Sequence, residues 1–142
     1  MPTDMMWRRT PLPLCGRFFL FGNTVVINTN HKSVLRAAGK LWLTPVSDTN
    51  QTPAAKWEIV GAPASHLDAW ECNVTLGNHS LYLSMGPEQW FAFDLETDAA
   101  AGFVLIRDYD PECDANAERY LTAIAFNLGV SMRTELEKTC CE

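Results

Sequence analysis

The chain has no C-x-x-C pair, no apolar run longer than four residues and no excess of positive charge, and each absence removes a class of function. Cys15, Cys72, Cys113, Cys140 and Cys141 form an odd set without short Cys/His spacing, so neither a disulfide scaffold nor a structural zinc site is indicated. A bridge between the adjacent Cys140 and Cys141 would be strained, and the two read as part of a frayed tail. With 11 basic against 17 acidic residues the formal net charge is −6. That composition lacks the basic surface that supplies most affinity for nucleic acid or for anionic membranes, and neither partner is expected. Stretches such as Phe18–Phe21 and Val25–Ile27 are far below the roughly 20 residues needed to cross a bilayer.

Catalytic and nucleotide motifs are equally scarce. The only Gly-Lys pair, Gly39-Lys40, lies inside a predicted helix and is followed by Leu41, so it lacks the Ser/Thr of a phosphate loop. There is no G-x-G-x-x-G and no G-x-S-x-G, and no cofactor is implied. Near the N-terminus, Pro11, Pro13, Cys15, Gly16 and Arg17 interrupt what would have to be a secretory apolar segment, so the expectation is a soluble, cytoplasmic protein. The sequons at Asn50, Asn73 and Asn78 then have no mechanism to act through.

What the sequence does contain is local turn chemistry. Its 142 residues and 47% hydrophobic content suit one globular domain over 1–142, with 1–14 and 131–142 irregular or frayed. Gly22-Asn23 and Gly77-Asn78 each separate two strand-like runs, and both residue types tolerate the positive φ of a tight hairpin loop. A two-residue loop at 22–23 pairs Phe18 with Ile27 and Leu20 with Val25, and makes both faces of that ribbon apolar. A loop at 77–78 pairs Val74 with Leu81 and Cys72 with Leu83 on one face, and Thr75 with Ser80 and Asn73 with Tyr82 on the other. The reversal at Gly86-Pro87-Glu88 returns Phe91 and Phe93 to the core phase, and Gly102–Arg107 completes a four-stranded meander.

Helical spacing appears twice. Val34, Leu35, Ala38, Leu41 and Trp42 mark a helix that starts at a Thr29/Asn30 cap, and Tyr120, Leu121, Ile124, Ala125 and Leu128 mark a second from Asp114 to Leu128, stopped at Gly129. Residues 44–56 read as a loop, 56–60 as a short strand and 61–66 as another loop. The predicted fold class is therefore α+β: an antiparallel β-sheet, formed by an N-terminal hairpin plus a four-stranded meander, packed against two helices.

Three groups of residues invite a functional reading. Asp108, Asp110, Glu112 and Asp114 are spaced like the ligands of a calcium loop, but Cys113 stands where that loop needs glycine and Arg119 where it needs a bidentate glutamate. The segment reads instead as a strand-to-helix connection with Asp114 as the cap, so no metal site is assigned. His66, with Ser65 and Asp68 close by, collects hydrolytic residue types, although a triad is defined by geometry and a polar loop gathers the same residues. His31 and His79 fall where exposed polar residues are expected. Asn73, Tyr82 and Trp90 fall on the polar phase of the meander, and this mixed aromatic and polar face is the candidate ligand or partner surface.

The hairpin and helix over Phe18–Trp42, the strands Leu81–Leu95 and Ala100–Ile106 with the small step Ala101-Gly102, and the helix ending Asn127-Leu128-Gly129 resemble the N-terminal accessory region of HPr kinase-related ATPases. In those proteins such a region precedes a P-loop kinase-like domain. The resemblance implies a free-standing, non-catalytic relative and transfers no functional residue. The expected function is a non-enzymatic interaction or regulatory module that binds a protein partner or a second copy of itself. The alternative is a small-ligand carrier with a pocket lined by Phe19, Phe91, Phe93 and one or more tryptophans.

Overall fold

The computed structural model describes residues 11–20, 23–42, 55–64, 66–107 and 115–140, with only the backbone of Asn23 and of the residues after 129. Its elements are β1 (Leu14–Leu20), β2 (Asn23–Thr29), α1 (Lys32–Leu41), β3 (Ala55–Pro63), β4 (Cys72–Leu76), β5 (Ser80–Met85), β6 (Gln89–Asp94), β7 (Ala99–Ile106) and α2 (Ala115–Cys140). The strands form one seven-stranded sheet in the order β1-β2-β3-β7-β6-β5-β4.

The architecture is α+β, as expected, but the sheet is mixed where the sequence pointed to an antiparallel one. Strand β3 lies parallel to β2 on one side and to β7 on the other. The reason is the path of the chain: α1 carries it back to the starting end of β2, so the next strand runs in the same direction. The short run 56–60 is thus part of a nine-residue interior strand that joins the hairpin to the meander.

Asn30 sets how far β3 extends. Its amide donates to Gly61 O at 3.0 Å and its carbonyl oxygen accepts from Gly61 N at 2.7 Å, replacing the backbone that β2 no longer supplies. Because Asn30 is diverted to β3, the cap of α1 falls to His31 instead of the expected Thr29/Asn30. Its Nδ1 accepts from Ser33 N at 3.4 Å, while Thr29 Oγ1 accepts from His31 N at 3.3 Å.

Both hairpins keep the predicted faces but not the predicted pairs. Phe18 pairs with Val25 and Leu20 with Asn23, so each residue of β1 meets a partner two residues earlier than expected and Asn23 belongs to β2; residues 21 and 22 lie outside the described residues. Val74 pairs with Leu83 and Thr75 with Tyr82, and Gly77 N donates to Ser80 O at 2.9 Å, so the second loop is Asn78-His79. A register shift of two leaves every side chain on its original face, because strand periodicity is also two.

Both helices contact the same face. The core gathers Phe18, Val25 and Ile27 of the hairpin, Trp57 and Ile59 of β3, and Phe91 and Val104 of the meander. Over them lie Val34 and Ala38 of α1 and Tyr120, Leu121 and Ile124 of α2. Helix α2 does not stop at Gly129 but continues to Cys140. A glycine costs about 1 kcal/mol inside a helix, and Met132, Arg133, Glu135, Leu136, Glu137 and Lys138 beyond it favour helix.

Tyr120 anchors α2 to the sheet. It is fully buried, and its hydroxyl donates to Trp90 O at 2.7 Å. Burial holds the phenol well above its usual range, so it stays a neutral donor. The hydroxyl sits where a Cβ on Gly102 would stand, and that Cβ would also lie 3.0 Å from Phe91 and 3.2 Å from Trp90 O. The small step in β7 is therefore what admits the tyrosine. Gly102→Ala should lower stability by about 2 kcal/mol through overpacking, and Tyr120→Phe by about 1 kcal/mol through the lost hydrogen bond. In urea titrations the double variant should lose less than the sum, because phenylalanine lacks the oxygen that the new methyl meets. Strict additivity would show that the two groups do not compete for one space.

Candidate functional site

The face opposite the helices carries the candidate surface, and the strand registers arrange it in rows. One row runs Val60, Phe103, Trp90, Ser84, Asn73, from β3 through β7, β6 and β5 to β4. The next runs Glu58, Ala101, Ala92, Tyr82, Thr75. Asn73, Tyr82 and Trp90 therefore occupy one patch on neighbouring strands. Asn73 is exposed, Trp90 is half-buried and Tyr82 remains 43% accessible, enough for one face of its ring to meet a partner.

Beside this patch the side chains shrink. Ala92, Ala99 and Ala101 floor a shallow trough of about 840 Å³, flanked by Lys56 and Glu58 on one side and by His79, Asp94 and Glu96 on the other. The far wall is built by two interlocked turns. Asp94 Oδ1 accepts from Glu96 N at 2.9 Å and Thr97 N at 3.4 Å, while Leu95 N donates to His79 O at 2.8 Å and His79 Nε2 lies 3.4 Å from Glu96 Oε1. The Glu96 amide is the main reason the Asp94 carboxyl sits below its ordinary range, which keeps a negative charge at the rim. Asp98 completes that turn at φ 58°, in the left-handed region that aspartate tolerates better than most residues.

Other residues singled out by the sequence are not brought into this site. His66 Nε2 and Asp68 Oδ1 are 2.8 Å apart but more than three-quarters exposed, so water reaches both groups freely. Ser65 lies outside the described residues, as do Asp108, Asp110, Glu112 and Asp114. No cluster of three metal-ligating side chains occurs among the described residues. Phe91 and Phe93 pack under the helices and Phe19 lies on the opposite face, so these three cannot line one pocket. Burial raises the Cys72 thiol, and Asn127 Nδ2 at 3.6 Å offsets this only in part, so Cys72 is not poised as a thiolate.

A buried polar network that local sequence patterns do not reveal lies at the opposite end of the sheet. Trp70 Nε1 donates to Asn116 Oδ1 at 2.8 Å, and Asn116 Nδ2 donates to Gln89 Oε1 and to Leu105 O, both at 2.7 Å. Gln89 Oε1 also accepts from Leu105 N at 3.0 Å, and Gln89 Nε2 donates to Met85 O at 3.0 Å. Arg119 stacks 4.5 Å from the Trp70 ring and donates to Trp70 O at 2.8 Å. Every polar atom of Asn116 and Gln89 has a partner within this group, so the network braces the loop before β4 against α2. It borders a cavity of about 150 Å³ beside His66, Gly86 and Gln89.

No helix among the described residues is long and apolar enough to cross a membrane. Compared with protein families, curated proteins and solved structures, the chain matches none. If the network is structural, Asn116→Ala should lower stability by about 2 to 3 kcal/mol, because it strands Trp70 and Gln89 in a buried setting. Chemical denaturation measures this, and a change below about 0.5 kcal/mol would contradict the bracing role.

Proposed function

We propose that the protein is a non-enzymatic interaction module that docks a protein partner on the outer sheet face around Asn73, Tyr82 and Trp90. The observation that carries this reading is that, among the described residues, both helices cover one face of the sheet and the β4–β6 part of the other face stays accessible at Asn73 and Tyr82. Both helices pack on the face of Trp57 and Phe91, while the opposite face presents Tyr82 among small and polar neighbours. Exposed aromatics beside small polar groups are what protein interfaces favour. The resemblance to the accessory region of HPr kinase-related ATPases agrees with a module that carries no chemistry of its own.

A photoreactive amino acid at position 82, introduced in cells that express the protein naturally, tests the proposal. It should give an adduct with a different protein, reduced several-fold by Trp90→Ala and absent when the probe sits at Thr122 on the solvent side of α2. Equal labelling from positions 82 and 122 would overturn the reading.

The trough beside the patch favours a second reading, a small-ligand carrier using the alanine floor in place of the phenylalanines. A thermal-shift screen separates the two, since a ligand that binds only the folded state raises the midpoint. A shift abolished by Ala101→Phe, which fills the floor, would favour the carrier.

A further inference from the structure

We propose that β4 is a self-pairing edge, through which two copies of the chain join their sheets antiparallel about Val74. The proposal concerns the edge of the sheet and does not rest on the outer-face reading.

The two ends of the sheet differ in how they resist such pairing. Natural edge strands are blunted by charge or proline. β1 carries Arg17 and follows Pro11 and Pro13, whereas β4, Cys72-Asn73-Val74-Thr75-Leu76, has neither. Its backbone phase is set by the Gly77 N to Ser80 O bond at 2.9 Å. Hydrogen-bonded pairs alternate along an antiparallel ladder, so Asn73 and Thr75 bond to β5 while the N–H and C=O groups of Cys72, Val74 and Leu76 turn outward. None of these outward groups has a backbone partner among the described residues.

The strand is complementary to itself. Antiparallel pairing centred on Val74 sets it against its own copy, Cys72 against the partner subunit's Leu76, and Asn73 against the partner subunit's Thr75. Apolar residues then meet apolar ones on the helix side, polar residues meet polar ones on the outer side, and every outward backbone group finds a partner. The helix side of this edge is also where cover is missing: Val74 is 46% and Leu76 65% exposed, although both share a face with the core. Pairing would place these uncovered side chains side by side. A ladder of 5 residues is small beside a standard interface of roughly 1,600 Å², so the dimer should dissociate on dilution.

Sedimentation of the full chain over a range of concentrations tests this. The wild type should move from 15.9 kDa towards twice that mass as concentration rises. Val74→Pro, which removes an amide that β5 does not use, should stay monomeric with an unchanged circular dichroism spectrum. Val74→Lys, which opposes two charges at the dyad, should do the same and covers the case in which the proline variant fails to fold. Tyr82→Ala should leave the dimer intact, which keeps this outcome separate from that of the outer face. A chain monomeric up to its solubility limit, or a dimer that survives both Val74 variants, would overturn the proposal. So would protection of the Val74 amide from hydrogen exchange that does not vary with concentration, because the edge would then be occupied within one chain.

Discussion

Trp57 holds the two halves of the sheet together. Its ring meets Trp42 edge-on at 5.7 Å, Phe91 at 5.1 Å and Phe93 at 6.5 Å, and Trp42 in turn meets Phe18 at 6.3 Å. One side chain on β3 thus links the first hairpin and α1 to the meander. A tryptophan buries roughly 200 Å², worth on the order of 5 kcal/mol before the edge-to-face terms. Against that stands the indole N–H, which is buried without a partner among the described residues and costs about 1 to 3 kcal/mol. The balance favours burial, and the aromatic chain ties β3 both to the hairpin and α1 on one side and to the meander on the other.

Placing Trp57 there fixes what each face can do. The residues of β3 that alternate with it, Lys56, Glu58 and Val60, must point away from the helices, and Glu58 and Val60 start the rows that end at Thr75 and Asn73. The helix side is committed to packing, so closely at Gly102 that a backbone without a side chain is required beneath Tyr120. The outer face is packed only around Val26 and Val60, and over β4 to β6 it holds the exposed Tyr82, the alanine trough and the charged rim. At the far end, the Trp70, Asn116 and Gln89 network holds the approach to β4 in place, so that edge is presented by a braced loop.

Much of this was legible in the sequence where the physics is local. Alternation along β4 to β6 puts Asn73, Tyr82 and Trp90 on one face, and a register that differs from the expected one by two residues leaves that face unchanged. The loop positions differ from the expected ones because a Gly-Asn pair suits more than one place in a hairpin, and the second loop uses Asn78 and His79. Parallel pairing of β3 was not legible, since it depends on where α1 returns the chain, although the order strand, helix, strand with buried Trp57, Ile59 and Val60 was the available signal. The network was hidden for a similar reason: Trp70 and Asn116 are 46 residues apart and Asn116 and Gln89 27. Periodicity carries no information at that separation.

The central claim is that β3 lies between β2 and β7, parallel to both, because every row on the outer face passes through it or is aligned by it. Backbone nuclear Overhauser contacts measure this directly. The account predicts interstrand contacts of parallel type around the pairs Ile27 and Trp57 and Ile59 and Gly102. Contacts of antiparallel type at β3, or direct contacts between β2 and β7, would contradict it.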